Sequence, residues 1–568
     1  MKKLISSRLW WLFLLVLLVG INLLASVFHS RFDLTKEKRY TLSNATKQLL
    51  RKLDEPVTID VFLKGDFPAG FKKLANSVQE FLEEAKEISN GKLRFVFTDP
   101  LKNLDDSTGA RFIDSINYFF KIPGLSLQAP AKVGDEMKQK LVLPGALIHY
   151  RDTTMGVNLL KGQKTYGTSP EQLAELYNDV ESTLEYNFAN AIQKLTVKEK
   201  PLVFYALGNG ELFNPKVDDA VRTLVNDYRF DTLNVKTVPY IPSEINALVI
   251  LKPTIPFTDE DKFKLDQYVM RGGRLFWMVD NMYAEFDSLR NADGFIAYDR
   301  ALNIEDILFR YGVRINQNLL QDMQADKLGQ VSDDPNNRQT RLVDWPFFPI
   351  LNGTDHPISK NLDGVRAIFP NTLDTVNVEG IKKTFLLRSS ANARVLPAPA
   401  KVDFEFFQIA PDIKEFSVKD TTVAALLEGR FTSLYTGRVP KAVADSMSAY
   451  GVPVRTNCEK ENKMIVVADG DIATNLVSPQ YGPMPMGFNF YTNYTFANKE
   501  FFSNALEYLV NPSGILETRA KDYTLRLLNP KKVKEQKAIW QFINIALPVI
   551  LVILIAFIYQ QNRKRKYA

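Results

Sequence analysis

Hydrophobic and polar positions near the start of the chain follow two periods, which predict a strand-helix-strand unit. Residues 57–63 alternate as a strand does, residues 71–88 place apolar side chains at helical spacing, and residues 92–97 form the next strand. A short helix is predicted before them, with Ser43 at its N-terminus. A helix that connects two neighbouring strands usually makes them parallel, so we expect a β-α-β unit here.

The next pattern extends this unit to a larger α/β domain over residues 30–198. Strand-like runs lie at 139–150 and 156–160, and a long helix is predicted at 170–195. This order of elements is thioredoxin-like, but the chain contains one cysteine and therefore no Cys-x-x-Cys pair. The domain is expected to have a structural or docking role instead of a redox role.

A second α/β domain is predicted over residues 199–510, because short, wholly apolar strands alternate there with helices. Such strands are typical of a parallel, doubly wound sheet covered on both faces. The predicted strands are 202–207, 245–251, 274–279 and 463–468, with helices ending near 227 and 270 and a last helix at 496–509. Strand-like stretches at 384–388 and 402–409 are interpreted as β-rich additions to this domain.

Both ends of the chain carry uncharged apolar runs, at residues 9–28 and 539–559, that are long enough to cross a bilayer. A cleaved signal peptide is the alternative for the first run, and a buried helix of a soluble protein is the alternative for the second. Residues 511–538 form a polar linker to the second run, in which Pro548 predicts a kink. The expected membrane-interface anchors are Trp10, Trp11, Trp540, Tyr559, Arg563, Lys564, Arg565 and Lys566.

Two spans place both termini on one side of the membrane. The count of basic residues beside each span is close to a tie, and both tails (1–8 and 560–568) lack acidic residues. We expect cytoplasmic tails in the inner membrane and a large periplasmic body. The net charge of +6 comes from the tails, where it can meet anionic lipids, so the nearly neutral body is not expected to bind nucleic acid.

Motifs for common chemistries are missing from the sequence. There is no phosphate-binding G-x-x-x-x-G-K-[ST] loop, no G-x-S-x-G elbow and no paired-histidine metal motif among the three histidines. The single cysteine, Cys458, lies in a polar stretch and not at a strand-to-helix elbow. We therefore expect no catalytic residue, no cofactor and no metal.

One group of polar residues follows the predicted parallel strands. Ligands of open α/β sheets bind beyond the carboxyl ends of the strands, so these side chains could form a ligand or partner site. The same residue types also serve turns and helix caps, and that structural interpretation stays open. The candidate residues are Gly208, Asn209, Gly210, Glu211, Asp280, Asp469 and Asp471.

Six motifs follow one another along the chain: RFDLTKEKRYTLS (31–43), PVTIDVFL (56–63), GNGE (208–211), YVMRGGRL (268–275), LLEGRF (426–431) and DGD (469–471). In these motifs and their order the chain resembles the auxiliary, "substrate-binding" subunit of gliding-motility ABC transporters, GldG, and the wider ABC-transporter auxiliary family.

The resemblance implies a glutamine-amidotransferase-like fold around 200–280 and 460–475, without the nucleophilic cysteine of active amidotransferases. It also implies a GldF-like permease and a separate GldA-like ATPase as partners, in gliding bacteria of the Bacteroidetes. A homodimer is a further expected assembly. The expected function is thus a non-catalytic subunit for gliding motility and linked protein secretion. A tethered glycan or ligand binder, or a hydrolase using the acidic strand ends, is the alternative.

Overall fold

The computed structural model describes most of the chain in two compact units, Met1–Asp522 and Tyr523–Ala568. The described residues are 15–20, 41–65, 67, 69–102, 104–130, 137–160, 170–290, 294–331, 340–404, 411–439, 441–520, 536–537 and 539–567. Within the predicted N-terminal span at 9–28, only residues 15–20 are described, and they are helical.

The N-terminal part of the first unit is built on a four-stranded sheet of order β2-β1-β5-β6. Its elements are α1 (Asn44–Arg51), β1 (Val57–Val61), α2 (Ala69–Ile88), β2 (Leu93–Phe97), α3 (Asp106–Phe120), β3 (Leu125–Pro130), β4 (Met137–Val142), β5 (Gly145–Tyr150), β6 (Thr153–Asn158) and α4 (Pro170–Thr196). Strands β1 and β2 pair in parallel as the sequence predicts, and β5 is antiparallel to both of its neighbours.

Local chemistry explains where these elements begin and end. The Ser43 hydroxyl accepts a hydrogen bond from the Thr46 backbone N–H at the start of α1, as predicted. The run 139–150, predicted as one strand, is two strands because Pro144 separates β4 from β5, and proline has no N–H for a ladder. Strand β4 then pairs with β3 in a separate hairpin.

The rest of the first unit contains most of its strands. They and the helices between them are β7 (Leu202–Leu207), α5 (Asp218–Asp227), β8 (Arg229–Asn234), β9 (Ala247–Leu251), α6 (Asp259–Met270), β10 (Arg274–Met278), β11 (Met282–Tyr283), β12 (Gly294–Asp299), α7 (Glu305–Tyr311), β13 (Val313–Ile315), β14 (Asn318–Asp322), β15 (Ala325–Val331), β16 (Thr340–Gly353), β17 (Val365–Arg366), β18 (Leu373–Thr375), β19 (Ile381–Arg388), β20 (Ala393–Pro397), β21 (Ala400–Asp403), β22 (Thr422–Gly429), α8 (Lys441–Ala449), β23 (Asn462–Val467), β24 (Asn475–Ser478), β25 (Gly482–Met486), β26 (Phe488–Asn489), β27 (Tyr494–Thr495) and α9 (Asn498–Val510).

A ten-stranded sheet organises this region, with the order β15-β16-β19-β22-β23-β10-β9-β7-β8 and β17 paired to β16. Strands β23, β10, β9, β7 and β8 are parallel, and the other half of the sheet is antiparallel. Every residue of β9 is buried, which requires cover on both faces of the sheet. The four apolar strands predicted to be parallel are all in the parallel half.

The additions to this domain are only partly as predicted. The stretch 384–388 lies in β19, within the main sheet. The stretch 402–409 contributes instead to β21, which pairs with β12 in a separate small sheet, and residues 405–410 lie outside the described residues.

Helix α4 takes part in two hydrophobic cores. Val180, Leu184 and Phe188 belong to the core of the N-terminal sheet, whereas Tyr186 and Ala189 belong to the core of the large sheet. The two sheets therefore share one helix. The predicted domain boundary between residues 198 and 199 stays a prediction.

The second unit contains a strongly apolar helix, Ile539–Arg565, whose apolar stretch is not buried. Among the described residues it is the one helix that is long and apolar enough to cross a membrane. A π-helical turn (Phe542–Ala546) precedes α10 (Leu547–Tyr567), so the helix adjusts its hydrogen bonding directly before Pro548. Residues 560–567, predicted as a separate tail, continue the helix.

Candidate functional site

The candidate residues follow parallel strands that end at one edge of the large sheet. The turn of residues 208–211 follows β7, Asp280 follows β10, and Asp469 and Asp471 follow β23. Lys252 follows β9, between them in the strand order, and the sequence analysis did not identify it. The structure therefore adds a cation to a set that was predicted to be acidic.

Asp280, Asp469 and Asp471 form a compact group in which one oxygen of each carboxylate lies within 4.8 Å of the others. The Lys252 ammonium lies 2.6 Å from Asp471 Oδ2, 3.1 Å from Asp280 Oδ2 and 3.1 Å from Glu285 Oε2. Only 4% of the Lys252 side chain is exposed. We call these five residues the lysine-carboxylate cluster.

Backbone N–H groups hold the carboxylates of this cluster in place. Asp280 Oδ1 accepts a hydrogen bond from Gly470 N at 2.5 Å, which ties the end of β10 to the end of β23. Asp469 accepts from Ile368 N at 2.8 Å and from Asp471 N at 2.7 Å. The cluster thus connects three chain segments that are distant in sequence.

The charges of the cluster do not balance. Four carboxylates face three cations: Lys252, Arg300, which is hydrogen-bonded to Glu285, and Arg366, which interacts electrostatically with Asp469 and Asp471. Burial raises the pKa of Asp469 well above its usual value, and the neighbouring Asp280 and Asp471 raise it further. Burial alone would lower the pKa of Lys252, but the surrounding carboxylates raise it well above its usual value, so Lys252 carries its proton at neutral pH.

Three carboxylates at this spacing are a donor set that Ca²⁺ or Mg²⁺ could use. Here the Lys252 ammonium already supplies a positive charge within 3.1 Å of two of them. Backbone N–H groups donate to Asp280 Oδ1 and to both oxygens of Asp469, and the Thr474 hydroxyl donates to Asp471 Oδ1 at 3.1 Å. A metal ion would have to displace a buried, protonated lysine. The arrangement can hold strand ends together without a metal.

The other predicted residues form a second group with its own contacts. Glu211 Oε2 accepts from Asn209 N at 2.7 Å, and Asn209 Nδ2 donates to Pro256 O at 3.2 Å. Gly208 and Gly210 have φ values of 116° and 77°, and a Cβ on Gly210 would lie 2.2 Å from Thr254 Oγ1. The turn requires glycine at that position because the loop after β9 packs against it.

Two acceptors of this turn are buried without a donor. Glu211 Oε1 and Asn209 Oδ1 have no hydrogen-bond partner in the described part of the chain. Burial raises the pKa of Glu211 above its usual value. Protonation of Glu211 would convert one of these acceptors into a donor. Among the described residues, Glu211 has no hydrogen bond or ion pair with the lysine-carboxylate cluster.

Cys458 does not have the surroundings of a nucleophile. It is buried, and its thiol lies 3.1 Å from the Val269 carbonyl oxygen. Burial raises the pKa of the Cys458 thiol to about 11, so the reactive thiolate is scarce at neutral pH.

The predicted interface anchors are described only near the C-terminus. Trp540 and Tyr559 are exposed at the two ends of the apolar part of the helix, and Arg563, Lys564 and Arg565 follow on the same helix. This spacing suits side chains that lie at the two surfaces of a bilayer. Trp10 and Trp11 lie outside the described residues.

The sequence contains only weak signals for Lys252, Glu285 and Arg300, which the sequence analysis did not identify as site residues. Lys252 directly follows the buried strand β9, so its place at the strand-end edge could have been inferred from the topology. Glu285 and Arg300 come from the segments around β11 and β12, and their spacing in sequence does not predict that they meet.

The chain is 21% identical over 442 residues to an uncharacterized protein of Borreliella burgdorferi, and the matched region covers 75% of this chain and 78% of that protein. The mmIFT52 N-terminal domain aligns with 55% of this chain and 97% of that domain, at 13% identity and a TM-score of 0.30.

An exo-beta-1,4-mannosidase, Op5Man5 from Opitutaceae bacterium strain TAV5, aligns with 62% of this chain and 40% of that enzyme, at 10% identity and a TM-score of 0.22. Neither structural alignment is close enough to support a statement about fold or function.

Family models match both parts of the first unit. Residues 36–149 match a domain of unknown function (DUF7088). Residues 200–505 match the model of an ABC-type uncharacterized transport system, and this match includes β7 to β27 together with every member of the lysine-carboxylate cluster. Because that model spans more than half of the chain, the protein belongs to the ABC-type uncharacterized transport system family.

Proposed function

We propose that this chain is a non-catalytic, membrane-anchored accessory subunit of an ABC-type transport complex, which acts by binding other subunits. The observation that carries the proposal is the family match over residues 200–505, followed in the chain by the apolar helix Ile539–Arg565. The lysine-carboxylate cluster supports a non-catalytic role, since its carboxylates are occupied by Lys252 and by backbone N–H groups.

The finer assignment follows the resemblance to GldG. On this proposal the chain binds a GldF-like permease and a GldA-like ATPase and supports gliding motility by partner binding or mechanical coupling. The strand order β2-β1-β5-β6, with β5 antiparallel, supports a thioredoxin-like N-terminal domain. The parallel strands β7 to β10 and β23 support an amidotransferase-like second domain.

Purification of the tagged full chain in a mild detergent tests the accessory role. We expect a permease and an ATPase to co-purify at constant ratios through a second column, and a variant truncated before residue 539 to lose the permease. Recovery of the full chain without any permease would contradict the proposal.

The proposed topology has a first span at 9–28, a second at 539–559 and both termini in the cytoplasm. The inert Cys458 makes the natural chain a low background for single-cysteine labelling. With an impermeant maleimide and an opened outer membrane, Lys382→Cys in the body should react, because the Lys382 side chain is 74% exposed. Ser6→Cys and Ala568→Cys should react only after lysis, and their labelling in intact cells would overturn the topology.

A membrane-tethered glycan binder or hydrolase is the second candidate. It is favoured by one observation, the three carboxylates within 4.8 Å of one another at the strand-end edge. A rise in melting temperature with Ca²⁺ or with a glycan, abolished by Asp471→Asn, would support it. No such rise in the natural chain would leave the accessory role as the better explanation.

A further inference from the structure

A polar cavity lies where strands β16 and β19 separate. The two strands pair over only two residues each, Asn352–Gly353 with Leu387–Arg388. Beyond these pairs the two chains diverge and leave a cavity of about 680 Å³. This volume is typical of small-molecule sites. The cavity is on the antiparallel half of the sheet and contains no member of the lysine-carboxylate cluster.

Arg388 lines this cavity and lacks an acceptor. Its guanidinium lies over the Phe385 ring, 4.6 Å from the ring centroid, and its Nε is buried without a hydrogen-bond partner. Its side chain makes no ion pair with any residue that the structure describes. A half-buried guanidinium that has no ion-pair partner among the described residues is a group whose partner is missing.

Two carboxylates at the rim are also unmatched. Asp355 and Asp420 are exposed, line the same cavity, and have neither a hydrogen bond nor an ion pair to another described side chain. The nearby hydroxyls are committed to the protein itself. Thr354 Oγ1 donates to Phe385 O at 2.7 Å, and Ser390 Oγ donates to Asp322 Oδ1 at 2.5 Å. Lys360 also lines the cavity, but it is buried and already interacts within the protein. Arg388, Asp355 and Asp420 are therefore the charged side chains available to a ligand.

The signs of the charges that line the cavity restrict the class of ligand that could bind there. The planar guanidinium of Arg388 matches a carboxylate through two parallel hydrogen bonds. Asp355 and Asp420 would repel a simple anion such as phosphate, and Arg388 would repel a metal ion. A molecule that carries both a carboxylate and an ammonium group satisfies all three side chains.

We propose that this cavity binds a small zwitterion, an amino acid or a short peptide, with its carboxylate at Arg388 and its ammonium at Asp355 and Asp420. The inference is independent of the proposed accessory role, because it uses residues outside the strand-end edge. It assigns to this chain a solute site with a defined charge pattern.

Calorimetric titration of the full chain in mild detergent tests the charge pattern. The probe is glycylglycine, compared with N-acetylglycylglycine, which lacks the ammonium group, and glycylglycinamide, which lacks the carboxylate. We expect saturable binding of glycylglycine and binding weaker by about tenfold or more for each capped peptide. Absence of saturable heat with glycylglycine, or equal affinity for all three peptides, overturns the proposal.

Variants locate the site. Arg388→Gln should weaken glycylglycine binding by about tenfold or more. Arg430→Gln, the same charge change at an exposed arginine outside the cavity, should leave it unchanged. Because Arg388 also packs on Phe385, Asp355→Asn at the exposed rim is the second variant. It should weaken binding of glycylglycine but not of the N-acetylated peptide, and unchanged glycylglycine binding in either variant refutes the assignment.

Discussion

Replacing Lys252 by methionine should strongly destabilise the first unit. Methionine keeps most of the apolar stem but removes the ammonium, leaving Asp280 and Asp471 without their cation. Their side chains are 6% and 12% exposed, so water cannot replace the lost charge, whereas Glu285 retains Arg300. Breaking a buried ion pair from one side costs about 3–5 kcal/mol, and we expect a loss in that range at pH 7.

The assay is urea unfolding of the full chain in mild detergent, followed by tryptophan fluorescence. Lys216→Met is the matched control, because the Lys216–Asp287 pair is 2.7 Å long, close to the 2.6 Å of Lys252–Asp471, but its side chains are 53% and 48% exposed. Such a pair contributes about 0–1 kcal/mol. A loss below about 1 kcal/mol for Lys252→Met would refute the argument that the buried ammonium neutralises the cluster.

Two further measurements on the same position separate charge from packing. The unpaired carboxylates of the variant bind protons more tightly when folded than when unfolded, so its deficit should shrink as the pH falls from 7 to 5. In Lys252→Ala, which also vacates space, millimolar Ca²⁺ should restore part of the stability because three carboxylate oxygens lie within 4.8 Å. The natural chain should show no stabilisation by Ca²⁺.

Three other predictions concern single side chains. Glu211→Gln should keep or raise the free energy of unfolding at pH 7. Burial raises the pKa of Glu211, and the amide supplies a donor for the unpartnered Asn209 Oδ1. A loss above about 1 kcal/mol in urea unfolding would contradict this. Burial lowers the pKa of His356 to about 4 in the folded chain. As the pH decreases from about 6.5 towards 4, this histidine is protonated in the unfolded chain but not in the folded one, so the folded chain becomes less stable. In His356→Gln this acid loss, measured as the shift in urea midpoint between pH 7 and pH 5, should be smaller, and an unchanged shift would count against the assignment. Cys458 should resist maleimide in the folded chain and react within minutes in urea, and rapid reaction of the native protein would show that its burial is wrong.

Apolar patterning predicted the parallel strands well, because a strand buried on both faces has an almost wholly apolar sequence. Strand β9 has this form and lies in the middle of the parallel half. Strand β8 was missed because it is at the sheet edge, where four of its six positions are polar or charged and only Leu233 is buried. Helix α3 was missed for a related reason, since exposed apolar residues such as Tyr118 and Phe119 blur its helical pattern.

The sequence predicted where the candidate site lies, at the carboxyl ends of the parallel strands, but not how its charges pair. Topology alone places Asp280, Asp469 and Asp471 after neighbouring strands, and the structure brings their oxygens together. The neutralising role of Lys252 depends on its side chain turning into the cluster, which sequence spacing does not report. The separation of Glu211 from the cluster likewise depends on the loop that holds Asn209.

The shared helix α4 has a mechanical consequence. It contains 27 residues, which at the rise of an α-helix makes it about 40 Å long, and its side chains are embedded in both hydrophobic cores. Because one rigid helix packs in both cores, a displacement of the N-terminal sheet should move the large sheet as well. In the proposed accessory role, this helix would couple movements of the two sheets.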